Sequence, residues 1–224
     1  MDRRIRRGGS IGALALLLCM GPTASSALWA EPARTASVPA LAVSTVGGKQ
    51  VGNVHYVLLQ LERDPQGRGP TVLFSESSTG SAVDEEWKNG ARAAMSAAAE
   101  VLGEDERNWR LMIKNRSRFS LSSGSSASSA IAVGVLAAWR GDALHSGVAI
   151  TGVINPDGRI EDVGDLPAKL QGAVEARMRA LLVPKGEART PEWDLFELAQ
   201  KTGVTVVEVG TLREAYEFMT GISP

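Results

Sequence analysis

Three residues in this chain have types and spacing that could do hydrolytic chemistry. Ser126 lies in a run of small residues, Ser122-Ser-Gly-Ser-Ser-Ala-Ser-Ser-Ala130, that leads into an apolar helical pattern. Lys169 follows 43 residues later in Val163-Gly-Asp-Leu-Pro-Ala-Lys169. Thr151 stands between them in Val148-Ala-Ile-Thr-Gly152. A serine hydroxyl is a weak nucleophile until a base takes its proton. Lysine can be that base only when neutral, so its ordinary pKa of ~10.4 has to fall by several units. Burial does this, because a low-dielectric environment disfavours the ammonium form.

The sequence gives a reason to expect burial. Leu166, Leu170, Ala173 and Val174 form an apolar helical stripe, and Lys169 falls on it. Glu161, Asp162 and Asp165 act in the opposite sense, since a carboxylate close to the amine would keep it charged. A helix start at Ser126 would offer unpaired backbone N–H groups, with Ala127 among them, to a developing oxyanion. Gly124 would let a substrate backbone come close. Thr151 is placed to fix the lysine amine. Taken singly, each residue has a plainer reading: the serine as a helix cap, the lysine as a snorkelling side chain, the threonine as a strand residue. The joint arrangement favours chemistry. His55 and His145 have no triad-like partner in the pattern and are read as structural.

Composition narrows the alternatives. The chain has 224 residues, 44% apolar and 22% charged, enough for one domain with a substantial core. A net charge of −1 argues against a nucleic-acid partner, which would call for a basic face. The basic residues that do cluster are Arg3, Arg4, Arg6 and Arg7, ahead of an apolar stretch from Ile11 to Met20 and small residues up to Ala30. This is the pattern of a secretory signal peptide over residues 1–30, with cleavage expected after Ala27 or Ala30. The apolar stretch is short for a membrane span, so no stable anchor is expected after processing. Processing would also remove Cys19, the single cysteine, leaving no disulfide and no Cys/His metal set.

Pro, Ala, Ser and Thr dominate residues 31–39, which read as a linker, and one domain is expected over 40–221. Residues 40–46 and 51–62 flank Gly47-Gly48 as a hairpin, followed by a strand at 71–75, a helix at 83–102 and a strand at 110–114. A buried helix is expected over 126–139, an inner strand over 147–154, a turn at Asn155-Pro-Asp-Gly158 and a strand over 159–163. A helix over 166–178, a strand over 180–183, a helix over 191–202, a strand over 205–209 and a helix over 212–220 complete the reading. The alternation implies a mixed α/β, or α+β, domain: a mixed sheet with packed helices.

The constellation resembles the proteolytic domain of Lon proteases, the serine–lysine peptidase family S16. Ser123-Gly-Ser-Ser126-Ala-Ser128 is similar to the family's nucleophile element, Thr151-Gly152 to its Thr-Gly, Gly164-Asp-Leu-Pro-Ala-Lys169 to its Gly-Gly-Leu-Lys-Glu-Lys, and Leu182-Val-Pro-Lys185 to a later strand end. The resemblance implies a ribosomal protein S5 domain 2-like fold, with Ser126 as nucleophile, Lys169 as base and Thr151 as the residue that orients it. Ser123 departs from the family's acidic residue, Asp165 from its second glycine, and Pro167-Ala168 from its polar pair.

The chain carries no Gly-x4-Gly-Lys-Ser/Thr phosphate loop. The expectation is therefore an exported, ATP-independent, Lon-like serine endopeptidase that needs no cofactor or metal and acts on peptides or unfolded proteins in the periplasm or outside the cell. A homo-oligomeric ring is compatible by resemblance. Two other classes compete. One is a catalytically inactive binding module on the same fold; the other is a small-molecule kinase of the galactokinase/homoserine-kinase (GHMP) type, whose phosphate-cradling Gly-Leu-Gly-Ser-Ser-Ala-Ser loop is close to residues 123–128.

Overall fold

A computed structural model describes residues 33–76, 82–119 and 121–224. The expected signal peptide lies outside the described residues. The chain opens with a long antiparallel hairpin of β1 (Arg34–Val46) and β2 (Lys49–Arg63), with Arg34 opposite Leu61 and Val46 opposite Lys49. Gly47 and Gly48 form the tip, both at positive φ, which a side chain would disfavour. The segment expected to be a linker is not one over most of its described residues. From Arg34 to Pro39 it is strand, because Tyr56 to Leu61 on β2 supply a ladder that its own composition does not announce.

Next come β3 (Thr71–Phe74), β4 (Ala82–Val83), α1 (Glu85–Leu102), β5 (Trp109–Arg116), β6 (Leu121–Ser122) and α2 (Ser128–Arg140). The second half runs β7 (Val148–Ile150), β8 (Val153–Ile154), β9 (Ile160–Glu161), α3 (Leu166–Glu175), β10 (Ala180–Pro184), α4 (Leu195–Ala199), β11 (Thr205–Val209) and α5 (Leu212–Thr220). Seven strands make the main sheet, in the order β11-β10-β7-β1-β2-β5-β3. The β1-β2-β5 section is antiparallel, while β1-β7-β10-β11 is parallel, so the sheet is mixed.

The inner strands β7 and β10 are buried along their whole length, and alternate residues of the inner sheet feed two separate cores. Ala40, Leu182 and Ile150 join a core with α1, α2 and α5, whereas Leu41, Leu181 and Ala149 join one with α3 and α4. Ser128 to Ala138 of α2 are buried without interruption, as the apolar pattern requires. α3 lies hard against the hairpin. A Cβ on Gly52 would come within 1.7 Å of the Ala168 carbonyl oxygen, and one on Gly172 within 2.4 Å of the Gly52 carbonyl carbon. Two glycines thus let backbone meet backbone directly beside Lys169.

Four helices differ in their bounds from the sequence reading, α1 by starting at Glu85 rather than at 83. α2 begins at Ser128, with Ser126 and Ala127 in the turn before it. α3 ends at Glu175, where Arg177 takes a positive φ. α4 is only Leu195–Ala199, because Thr190 Oγ1 accepts the N–H groups of Glu192 and Trp193 in a turn and Asp194 caps the helix that follows.

Candidate active site

The serine loop is held from two sides. At the start of α1, the Asp84 carboxylate accepts the Trp87 N–H at 2.8 Å and also the Gly124 N–H at 3.3 Å. Gly90 on α1 keeps the helix close, since a Cβ there would sit 3.2 Å from both Ser125 Cβ and Ser128 Cβ. From the other side, the Ser126 carbonyl accepts the Gly152 N–H at 2.9 Å and the Thr151 hydroxyl at 3.3 Å. Ser128 Oγ then accepts the Ile154 N–H at 2.9 Å. The turn carrying Ser126 is therefore stitched to the chain leaving β7.

Lys169 comes from the opposite face of the sheet. Asp165 caps α3 in the left-handed region, φ 60° and ψ 30°, and its carbonyl takes the Lys169 N–H at 3.0 Å. Aspartate tolerates this conformation better than most residues, which explains how Asp165 can stand where the resemblance has glycine. Leu166, Leu170 and Ala173 are buried beneath the helix and carry Lys169 inward with them, to only 4% exposure.

Past the end of β7, where the starts of α2 and α3 meet, lies a cleft of about 340 Å³. Ser126 and Lys169 both line it, with Gly124, Val43, Val153 and the carboxylates of Glu86, Asp162 and Asp165. Among the described residues Lys169 makes no ion pair and no side-chain hydrogen bond. Burial pulls its pKa down from 10.5 to about 8, against the pull of Asp165 in the other direction. The Glu161 carboxylate accepts the Asn155 amide, and of the three expected carboxylates it is Asp165 that acts on Lys169.

The structure thus gathers four of the five residues singled out by sequence around one cleft or its wall. Ser126, Lys169 and Gly124 line it, and Thr151, fully buried, braces it through the Ser126 carbonyl. Thr151 bonds the serine turn rather than the lysine amine. Ala127, the fifth, is buried behind Ser126, and its N–H has no partner among the described residues, as an oxyanion donor requires. The Gly124 N–H is occupied by Asp84.

The chain matches the Lon protease (S16) C-terminal proteolytic domain over residues 88–217, from within α1 to within α5. It belongs to that family. A mitochondrial Lon protease homolog from Yarrowia lipolytica is 30% identical over 94 residues, which is 42% of this chain and 8% of that protein. A Lon protease from Neorickettsia sennetsu is 30% identical over 103 residues, or 45% of this chain and 12% of that protein. The chain thus spans about a tenth of the length of the curated relatives it matches. The matched region contains Ser126, Thr151 and Lys169, while the β1–β2 hairpin and Glu86 lie outside it.

Two participants escaped the sequence reading. His55, taken as structural, is fully buried on β2, and neither ring nitrogen has a hydrogen-bond partner. Burial first, and then the charge of Lys169, lower its pKa to about 4, so the imidazole is neutral near the lysine. Glu86, in the acidic first turn of α1, reaches the serine loop, where its carboxylate accepts the Ser125 hydroxyl at 3.2 Å. The pairing of a pocket-lining Glu with the loop could have been suspected only from Gly90, whose missing side chain signals a close approach.

Proposed function

We propose that the chain is a serine endopeptidase in which Lys169 activates Ser126. The observation that carries this reading is the buried, unpaired Lys169 amine sharing a cleft with Ser126. In the reaction, neutral Lys169 takes the Ser126 proton as Oγ attacks the substrate carbonyl, and the Ala127 N–H meets the oxyanion. The resulting ammonium gives its proton to the leaving amine, and an acyl-serine remains. Lys169, neutral again, takes a proton from water for the second attack, and its return to Ser126 Oγ closes the cycle. A pKa near 8 leaves roughly a quarter of the lysine neutral at pH 7.5, against ~0.1% for an ordinary lysine.

The substrates proposed are peptides and unfolded proteins, because an extended chain is what can lie along Ser126 in a cleft of about 340 Å³. The N-terminal pattern supports export to the periplasm or beyond, and a homo-oligomeric ring remains a proposal from family membership. A second reading is a binding module without catalysis. It is favoured by one observation, that Ser126 Oγ and Lys169 Nζ are not hydrogen-bonded to each other. Labelling with a serine-directed acylating probe, mapped by mass spectrometry, separates the two. The peptidase is modified at Ser126, and Lys169→Ala suppresses the reaction; an unmodified Ser126 in folded protein leaves the binding module.

A further inference from the structure

Around Lys169 the residues lining the cleft are mostly acidic where they are charged. Glu86 comes from α1, Asp162 from the loop after β9, and Asp165 from the cap of α3, so three separate elements bring carboxylates to one space. Among the described residues Lys169 is the only basic side chain lining it, and that amine is buried and without an ion pair. Val43, Val153 and Val163 add apolar wall to the same cleft. Long basic side chains suit such a surface, because their methylene stems lie along apolar groups while the charged head stays at a polar, hydrated rim. Acidic side chains would meet repulsion from three directions.

We propose that this cleft selects substrates carrying a lysine or arginine side chain beside the scissile bond, with Glu86, Asp162 and Asp165 as the specificity-determining residues. The inference rests on the peptidase reading of the same cleft but makes a claim of its own about recognition. It also links recognition to chemistry. Lys169 is faced by Asp165 from its own helix cap, by Asp162 and Glu86 across the cleft, and by neutral His55 from β2 beneath. A substrate cation seated on the carboxylates would offset the charge that holds Lys169 protonated. Basic substrates would therefore be cleaved with an acid limb at lower pH than neutral ones.

The test uses the full chain with Ser126→Ala and two fluorescent peptides that differ only in a central Lys or Glu. Their affinities are read by anisotropy at low and high salt. The Lys peptide is expected to bind at least tenfold more tightly, with the margin shrinking as salt rises. Glu86→Gln with Asp162→Asn, both at solvent-exposed positions, should reduce the margin to within about threefold. Equal binding, tighter binding of the Glu peptide, or a margin that survives both the salt and the double substitution overturns the inference. In wild type, hydrolysis of both peptides at equal efficiency overturns it while leaving the peptidase standing. Selective binding without Ser126-dependent hydrolysis sinks the peptidase and keeps the recognition.

Discussion

Replacing Lys169 by Met should destroy activity and stabilise the fold. Lys169 is 4% exposed and makes no ion pair among the described residues, so at neutral pH the domain bears a buried ammonium that the pull of Asp165 offsets only in part. A pKa lowered from 10.5 to about 8 corresponds to about 3 kcal/mol of penalty on the charged form. Because the folded pKa lies below the unfolded one, the folded state binds fewer protons between pH 8 and 10.5, and wild-type stability rises with pH across that window. Met keeps the length and apolar stem and cannot ionise. Urea unfolding at pH 7 should show the variant more stable by up to about 3 kcal/mol, with an unchanged m-value. At pH 10.5 and above the charge-related advantage should be gone. A Lys169→Met variant no more stable than wild type at pH 7, with a difference that does not change with pH, would refute the reasoning, since it would mean that the ammonium is well solvated.

His55 should leave a mark at acid pH. Its folded pKa of about 4 lies below the ordinary 6.5, so stability falls as pH drops through that interval; wild type should lose about 3 kcal/mol that His55→Leu does not lose, read as urea midpoints at pH 6.5 and 4. Parallel pH dependence in the two proteins would show that His55 is not buried neutral. Asp165→Gly relieves a positive φ and removes the carboxylate that holds Lys169 charged. The acid limb of the rate should move below pH 8, and at pH 10.5, where the Lys169 charge no longer weighs on the fold, stability should rise by at most about 1 kcal/mol from the relieved φ, as rate profiles and thermal melts would show.

The sequence carried the site further than it carried the edges of the fold. Lys169 could be placed inside because a 3.6-residue stripe of Leu166, Leu170 and Ala173 runs past it, and that stripe is the buried face of α3. α2 was legible because its residues are apolar or small on every side. The strand Arg34–Pro39 was not, because its order comes from pairing with β2, a contact between distant residues rather than a local preference. His55 was read as a structural residue, and on β2 it is buried. Its relation to Lys169 depends on Gly52 and Gly172 bringing β2 against α3, and no local pattern reports that packing. Thr151 was placed at the right point, but the partner of its hydroxyl was set by how the chain after β7 meets the serine turn.

The central claim is that Ser126 attacks a peptide bond with neutral Lys169 as its base. It is tested most directly by initial rates of hydrolysis of an unfolded protein from pH 6 to 10, for wild type and Ser126→Ala side by side. The account predicts a wild-type rate that climbs through a single midpoint near 8, set by the buried amine, and no hydrolysis by the variant at any pH. A rate equal in both proteins, no rate in either, or a wild-type midpoint at the ordinary lysine value of ~10.4 would contradict it.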